Sequence, residues 1–195
     1  MDDINRFRIG DLQRINIVGT SSSGKSTFGK QLAKVLGIPF IEMDALYHEP
    51  NWQEPEVAVF RERVSEALKG PAWVLDGNYH SKTHDLKWSR ATMVIWLDMA
   101  FSLNLYRAVR RAIGRAWTKE ELWPGTGNRE SFRQTFLSTD SMILWTVMSR
   151  GRLRKRYAAI EQSPPENVRF LRLRSPASVE EFLKQAQSVA QNRSR

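Results

Sequence analysis

A glycine- and serine-rich stretch, GTSSSGKST at residues 19–27, lies directly between an apolar run and a helix-like run. Gly19 is followed, after four residues, by Gly24-Lys25-Ser26, which fits the pattern G-x-x-x-x-G-K-[ST] of a phosphate-binding P-loop. Its glycines let successive backbone N–H groups turn towards one anion, and the helix that follows adds partial positive charge. A flexible linker is the alternative, but linkers do not lead directly from a buried strand into a helix.

The side chains of this loop predict how a nucleoside triphosphate would be held. Lys25 is expected to reach the β- and γ-phosphates of ATP, and the Ser26 hydroxyl to ligate Mg²⁺. Thr27 is expected to assist near the α-phosphate. The ATP-binding residues predicted from the motif are Gly19, Thr20, Ser21, Ser22, Ser23, Gly24, Lys25, Ser26 and Thr27.

Three apolar runs end in aspartate, and metal-assisted phosphoryl transfer needs a carboxylate beside the P-loop to hold Mg²⁺. We predict that Asp76 is this carboxylate, because it follows an apolar run and precedes Gly77, where a phosphate or a metal-bound water can approach closely. Asp98 is predicted to cap a helix that begins near Met99. Asp44 ends another predicted strand and is either a base for an acceptor hydroxyl or a turn residue.

The positive charge is concentrated in one segment, residues 103–156. This segment contains twelve Lys or Arg against four acidic residues, which leaves it with eight of the nine net positive charges of the chain. Such a concentration predicts a surface that meets phosphate, on a nucleotide or on nucleic acid, with a merely solvated basic helix as the alternative.

Arginines in this basic segment recur every four residues, which places Arg107, Arg111 and Arg115 along one helical face. A planar guanidinium matches the spread negative charge of a phosphoryl group in transfer better than an ammonium does. We therefore expect catalytic contacts first from Arg111, Arg115 and Arg129, and next from Arg150 and Arg154.

The predicted acceptor side is aromatic. Tyr47 and Trp52 either form a stacking wall for an acceptor or belong to the core. Gly77, Asn78 and Tyr79 follow the end of a predicted strand, where a ligand would be contacted.

Composition limits the class of protein. The 195 residues predict one domain, 1–195, and the absence of an apolar run of about 18 residues and of a signal peptide predicts a cytoplasmic protein without membrane association. The absence of cysteine excludes disulfides and thiolate metal sites. His80 and His84 have no third ligand nearby and are expected to be polar loop residues.

Apolar strands alternate with amphipathic helices along the chain. Strands are predicted at 14–19, 39–44, 72–77, 91–98 and 168–175, and helices at 25–36, 54–69, 101–117, 130–157 and 178–191, with a break near Gly151 in the fourth. Strands that are too apolar to have a solvated face predict a parallel sheet covered on both sides, hence a three-layer α/β fold.

Four further stretches carry a resemblance to a known family: MDALYHEPNW (43–52), WVLDGNY (73–79), VIWLD (94–98) and GNRESF (127–132). With the P-loop, they resemble the adenylate-kinase-like P-loop proteins known as DNA topology modulation or flagellar-regulator-related kinases. The resemblance implies a five-stranded parallel sheet of order 2-3-1-4-5, an acceptor region after strand two, and a mobile basic lid at about 103–156.

The resemblance also implies roles for single residues. Asp76-Gly77 is similar to the Asp-Gly of nucleoside monophosphate kinases, and Asp44 resembles the substrate-side aspartate of shikimate-kinase-like enzymes. Arg174 opens the stretch RSPAS, which in adenylate-kinase-like folds packs against the adenine; a turn followed by a helix cap is the alternative for this stretch.

Two functions remain open at this point. The first is a kinase that uses ATP and Mg²⁺ to phosphorylate a small acceptor, which is a nucleoside, a nucleotide or another hydroxyl metabolite. The second is a nucleotide-regulated DNA-binding protein that uses residues 103–156. The kinase is favoured over specific nucleic-acid binding, because no helix-turn-helix or zinc-finger spacing is visible. The sequence carries no signal for the oligomeric state.

Overall fold

A computed structural model of the protein describes residues 7–118, 121–123, 125–128 and 142–193. Within them, five strands form one sheet of order β2-β3-β1-β4-β5, in which every neighbouring pair is parallel. The strands are β1 (Arg14–Gly19), β2 (Phe40–Glu42), β3 (Trp73–Asp76), β4 (Met93–Leu97) and β5 (Arg169–Leu173). The predicted fold class and strand order are confirmed.

The helices connect these strands and follow the last of them. They are α1 (Lys25–Leu36), α2 (Met43–Tyr47), α3 (Val57–Ala67), α4 (His80–Trp88), α5 (Phe101–Thr118), α6 (Met142–Gln162) and α7 (Pro176–Arg193). Short 3₁₀ turns occupy Ile9–Leu12 and Pro50–Trp52. No helix in the described part of the chain is long and apolar enough to cross a membrane.

Both faces of the sheet are covered. On one face, α1 and α7 pack against the strands, and the buried side chains include Ile15, Ile17, Phe28, Leu32, Phe182 and Ala186. On the other face lie α3, α4 and α6, and the buried side chains include Val18, Phe60, Val64, Trp96, Trp88 and Tyr157. Strands with apolar side chains on both faces account for the continuous apolar runs in the sequence.

Parallel pairing brings the carboxyl ends of the strands to one edge of the sheet. Gly19, the last residue of β1, pairs with Leu97 near the end of β4. On the other side, Asp76 pairs with Ile17 of β1 and with Glu42 of β2. This edge therefore carries the phosphate loop, Asp76 and the start of α2, as expected for a ligand site in an α/β sheet.

Two helices were not predicted. Residues 43 and 44, expected at the end of a strand, begin α2. Residues 80–88, expected to be a loop, form α4, whose buried side chains Thr83, Lys87 and Trp88 do not give a simple apolar pattern. His80 and His84 thus lie on a helix, with ring centroids 4.2 Å apart. Among the described residues, no group of three or more His, Asp or Glu could hold a metal ion.

Two further expectations were wrong. The predicted break at Gly151 is absent, because α6 is continuous across it. Asp98 was expected to cap the next helix, but its carboxylate accepts hydrogen bonds from Arg172, at 2.5 Å, and pairs with Arg154 at 3.3 Å. These ion pairs join the end of β4 to β5 and α6. Residues 129–141, which include Arg129 and the start of the predicted fourth helix, lie outside the described residues.

The continuity of α6 generates a stability prediction for Gly151→Ala. A Cβ at this exposed helical position meets nothing within 4 Å, so alanine should raise the free energy of unfolding by about 0.5–1 kcal/mol through its better helix propensity. Urea denaturation measures the change. The control Gly37→Ala has the same open surroundings but a φ of +65°, and it should destabilise. A loss of stability in Gly151→Ala would contradict a continuous helix at this position and favour the predicted break.

Candidate functional site

The phosphate loop joins β1 to α1 and requires glycine at both ends. Gly19 has φ +149°, and a Cβ there would lie 2.6 Å from the carbonyl oxygen of Leu97. Gly24 has φ +97° and is the N-cap of α1. The chain can therefore leave the buried strand, curl and enter the helix within residues 19–25 only because these two positions lack side chains.

Lys25 and Ser26 begin α1 at the mouth of this loop. The ammonium of Lys25 donates to the carbonyl oxygen of Thr20 at 3.0 Å, which uses one of its N–H donors and holds the side chain across the loop. The Ser26 hydroxyl donates to Oδ2 of Asp76 at 2.5 Å. The predicted Mg²⁺ ligands, Ser26 and Asp76, are thus brought together by the end of β3 and the first turn of α1.

Asp76 is a buried carboxylate with unsatisfied acceptor capacity. Its residue is 5% exposed, and its Oδ1 is buried without a hydrogen-bond partner among the described residues. Burial raises the pKa of Asp76, while the positive charge of Lys25 and the hydrogen bond from Ser26 oppose the rise. A buried, unpaired carboxylate oxygen beside a serine hydroxyl is a donor set that fits Mg²⁺.

Other polar atoms at the loop also lack partners. The hydroxyl oxygens of Ser22 and Ser23 are buried and make no hydrogen bond within the described residues. Together with the glycine-dependent curl of the backbone and the helix N-terminus, they form a cradle whose chemistry fits a phosphate group. The residues present therefore fit both Mg²⁺ and the phosphates of a nucleotide. Thr27, in the same first turn, is exposed.

One face of α5 lies along this loop. Asn104 donates to the Thr20 hydroxyl at 2.8 Å, Arg107 to the Ser23 carbonyl oxygen at 3.1 Å, and Arg111 to the Ser21 hydroxyl at 3.2 Å. The predicted arginine face is thus turned towards the loop at Arg107 and Arg111. The sequence reasoning missed Asn104, although its spacing of three from Arg107 places it on the same face.

The remaining basic candidates have other surroundings. Arg150 lies over the ring of Phe101, 5.3 Å from its centroid, and Arg154 pairs with Asp98. Arg115 lies in α5, but its side chain, like the whole of Arg129, is outside the described part of the molecule. Catalytic roles for Arg115 and Arg129 stay predictions.

On the acceptor side, Asp44 is exposed in the first turn of α2 and is held by Tyr79. The Tyr79 hydroxyl donates to Oδ1 of Asp44 at 2.8 Å. Burial and the neighbouring negative charge of Asp44 raise the pKa of Tyr79, so the phenol stays protonated and remains a donor. Tyr79 has φ +29°, a strained value for a residue with a side chain.

The two aromatic candidates differ in their surroundings. Tyr47 is 5% exposed, packs against Phe60 and Tyr79, and has its hydroxyl hydrogen-bonded by Lys82. Core packing therefore accounts for Tyr47. The backbone N–H of Trp52 donates to Oδ1 of Asn128 at 3.0 Å, and because the residue is 38% exposed its side chain remains open to a ligand.

Gly77 and Asn78, also expected at the acceptor, face other partners. A Cβ on Gly77 would lie 2.7 Å from Cβ of Met43, so close packing with α2 explains this glycine. The Asn78 side chain turns to the phosphate loop, where it accepts from the Gly19 N–H at 3.0 Å and donates to the Gly19 carbonyl oxygen at 2.8 Å.

A buried lysine beneath this turn was not predicted. Lys87 is 1% exposed, and its ammonium donates to the carbonyl oxygens of Gly77, at 3.2 Å, and of Asn78. Burial lowers the pKa of Lys87 to about 7, with the charge of Asp76 opposing the shift. The sequence gives no direct sign of this buried lysine. The residues of α4 lack an apolar pattern, and this lack indicated a loop.

Arg174 is exposed at the end of β5, and the residues after it form a helix start. The Ser178 N–H donates to the Ser175 hydroxyl at 3.1 Å, and the Ser175 N–H donates to the Ser178 hydroxyl at 3.2 Å. This reciprocal pair has the geometry of a capping box at α7, so the cap explains both serines. An adenine contact from Arg174 stays a prediction.

Comparisons by sequence match the part of the chain that contains the loop and the acceptor side. A family model described as shikimate kinase matches residues 21–69. A shikimate kinase from Parabacteroides distasonis is 38% identical over 58 residues, which are 30% of this chain and 33% of that protein. The chain therefore matches about a third of the length of this relative. The family model's range contains Lys25, Ser26 and Asp44.

Solved structures resemble the whole chain. A gluconokinase from Sinorhizobium meliloti 1021 has a TM-score of 0.52 at 20% identity, with 96% of this chain and 98% of that chain covered. A shikimate kinase from Acinetobacter baumannii in complex with shikimate has a TM-score of 0.52 at 17% identity, with 94% and 96% covered. At this identity the likeness establishes the fold, which agrees with the observed sheet.

The burial of Asp76 generates a pH-dependent prediction. The pKa of Asp76 is higher in the folded protein than in the unfolded chain. Ionisation of Asp76 therefore lowers the free energy of unfolding, and this loss grows as the pH rises above about 4, the ordinary pKa of aspartate. Asp76→Asn should therefore be more stable than wild type at pH 8 by about 1 kcal/mol or more, with the gain shrinking towards pH 4. Urea denaturation in EDTA at both pH values measures this.

Asp85→Asn is the matched control, because an ion pair with Arg61 lowers the pKa of Asp85 to about 2. This variant should not gain stability at either pH. Equal or lower stability of Asp76→Asn at pH 8 would show that the Asp76 carboxylate is not held at a cost.

Proposed function

We propose that the protein is an ATP-dependent P-loop kinase that transfers the γ-phosphate of Mg-ATP to a hydroxyl group of a small metabolite. The observation that carries the proposal is the hydrogen bond from Ser26 to Asp76 beside Lys25. It leaves one carboxylate oxygen buried and without a partner in the part of the chain that the structure describes. A buried carboxylate oxygen without a partner lowers stability, and binding of a cation would offset this loss. The adjacent loop fits a polyphosphate.

Different residues of the site bind the phosphates and the cation. Backbone N–H groups of residues 19–25 and the ammonium of Lys25 bind the phosphates, while Ser26 and Asp76 are the residues that would hold Mg²⁺. Bound Mg²⁺ supplies neutralisation of negative charge on the phosphate oxygens. Arg107 and Arg111, already on the loop, add positive charge on the side of α5.

Transfer to a hydroxyl requires that its proton be accepted. The acceptor oxygen forms a bond to the γ-phosphorus, the bond between that phosphorus and the bridging oxygen of ADP breaks, and the hydroxyl proton passes to the Asp44 carboxylate. Asp44 is exposed, oriented by Tyr79 and close enough to Asp76 for its charge to raise the pKa of that residue. These features support Asp44 as the base.

The names of the similar proteins support a hydroxyl acceptor. They are kinases named for shikimate and gluconate, which are small carboxylic acids with several hydroxyl groups. A phosphate acceptor would need positive charge around it, whereas Asp44 and Tyr79 offer a carboxylate and a phenol. The finer resemblance to DNA topology modulation proteins names no acceptor and stays a prediction.

The proposal is tested by incubating the protein with Mg-ATP and a panel containing shikimate, gluconate, nucleosides and nucleoside monophosphates while ADP release is followed. A hydroxyl acceptor should stimulate ADP release well above the rate with water alone. No stimulation by any acceptor, together with sequence-selective and steeply salt-dependent DNA binding, would instead favour the nucleotide-regulated DNA-binding alternative.

Lys25→Ala tests the phosphate cradle. Removal of the ammonium from the phosphate cradle should lower turnover by about 10²-fold or more. The free energy of unfolding should change little, because the hydrogen bond that Lys25 makes among the described residues is to a loop carbonyl. Lys34→Ala, exposed in the last turn of the same helix, is the control and should keep full turnover. Normal turnover in Lys25→Ala would rule out the phosphate cradle.

Asp44→Asn tests the class of acceptor. The amide keeps the shape and still accepts from Tyr79 but cannot take a proton, so transfer to a hydroxyl acceptor should fall by about 10²-fold, with nucleotide affinity unchanged. Steady-state kinetics of this variant and of the exposed control Asp85→Asn separate a change in the rate of transfer from a change in nucleotide affinity. Nearly full turnover of Asp44→Asn, with a nucleoside monophosphate as the acceptor, would make Asp44 a structural residue.

A further inference from the structure

The backbone ladder between β1 and β3 ends before it reaches the phosphate loop. Its last pair is Ile17 with Asp76, followed by a bond from the Gly77 N–H to the Ile17 carbonyl oxygen at 3.2 Å. The Gly19 peptide lies beyond this point. On the β3 side, its N–H and carbonyl groups both bond to the side-chain amide of Asn78. This amide therefore replaces a strand residue and continues the ladder into the loop.

Two buried side chains, Asn16 of β1 and Lys87 of α4, hold the backbone carbonyls of residues 77 and 78. Asn16 donates to the Gly77 carbonyl oxygen at 3.2 Å, and Lys87 donates to the carbonyl oxygens of Gly77 and Asn78. Both Asn16 and Lys87 are fully buried. Among the described residues, the Asn78 side chain satisfies the N–H and carbonyl groups of Gly19 on the β3 side.

A third contact links Asn78 to α6. The hydroxyl of Tyr157 donates to Oδ1 of Asn78 at 3.1 Å, the same oxygen that accepts from the Gly19 N–H. Tyr157 is completely buried and packs against Trp96 of β4. Within the described residues, α6 also carries Arg150 and Arg154, so one oxygen atom joins the first peptide of the phosphate loop to the helix that ends the basic segment.

We propose that Asn78 is a positioning residue for the phosphate loop, which fixes the backbone N–H and carbonyl groups of Gly19 by two hydrogen bonds, and that Tyr157 holds Asn78 in this orientation from α6. The proposal rests on the function proposed above. It assigns Asn78 to nucleotide binding, whereas its place in the sequence, two residues after Asp76, predicted a contact with the acceptor.

The test is the affinity of the full-length protein for Mg-ADP, measured by isothermal titration calorimetry. Asn78→Ala removes both bonds to the Gly19 peptide and should weaken Mg-ADP binding by about 10- to 100-fold. Tyr157→Phe removes one hydroxyl without changing the packing and should weaken it by about 3- to 10-fold. The KM for the acceptor should change little in either variant.

The control is Thr92→Val, which removes a partly buried hydroxyl that donates to the carbonyl oxygens of Asp11 and Arg14 and accepts from the Arg14 N–H. It lies at the amino end of β4, on the edge of the sheet opposite the loop. Its stability should fall as in Tyr157→Phe, while its affinity for Mg-ADP stays at the wild-type value. Loss of affinity in all three variants in proportion to lost stability would mean a purely structural role and overturn the proposal.

A double-mutant cycle isolates the coupling. Once Asn78 is alanine, Tyr157→Phe should have no further effect on Mg-ADP affinity, because its hydroxyl acts only through Asn78. Additive effects, or a raised acceptor KM with unchanged Mg-ADP affinity in Asn78→Ala, would overturn the proposal while leaving the kinase function standing. A wild-type protein that does not bind Mg-ADP would overturn the kinase function itself.

Discussion

The hydrogen bond between Ser26 and the buried carboxylate of Asp76 connects the first turn of α1 to the end of β3. It closes the gap between the strand next to the phosphate loop and the helix that follows the loop. Because it uses only one carboxylate oxygen, the other is left buried and, among residues 7–118, 121–123, 125–128 and 142–193, without a partner, at a cost to stability. The surrounding structure keeps this oxygen in place, and a divalent cation is the partner that would satisfy it.

Several elements hold the loop around this bond. The side-chain amide of Asn78 extends the sheet to Gly19, Lys87 fixes the turn beneath Asn78, and Arg107 of α5 bonds to the carbonyl oxygen of Ser23. Each contact comes from a different strand end or helix. These contacts restrict the conformation of the loop, which lowers the conformational cost of binding a polyphosphate.

The sequence predicted the features that depend on spacing or on apolar runs. The loop motif, the five strands and the arginine face of α5 are visible because a glycine pattern, continuous apolar residues and a four-residue repeat each leave a local signal. The position of the Asn78 side chain leaves none, since it depends on a ladder that ends at Ile17 and on carbonyls engaged by Asn16 and Lys87. The helix α4 was missed because one of its buried residues is a lysine, which sequence patterns treat as exposed.

The central claim is that residues 19–27 bind the terminal phosphates of a nucleotide together with a cation held by Ser26 and Asp76. Titration of the wild-type protein with ATP, ADP and AMP, each with Mg²⁺ and with EDTA, tests it most directly. ATP and ADP should bind at least about 10-fold more tightly than AMP, and EDTA should remove most of this preference, since the loop, as proposed, would contact phosphates beyond the first through charge-assisted bonds. Equal affinity for ATP and AMP, or a preference unaffected by EDTA, would contradict the account.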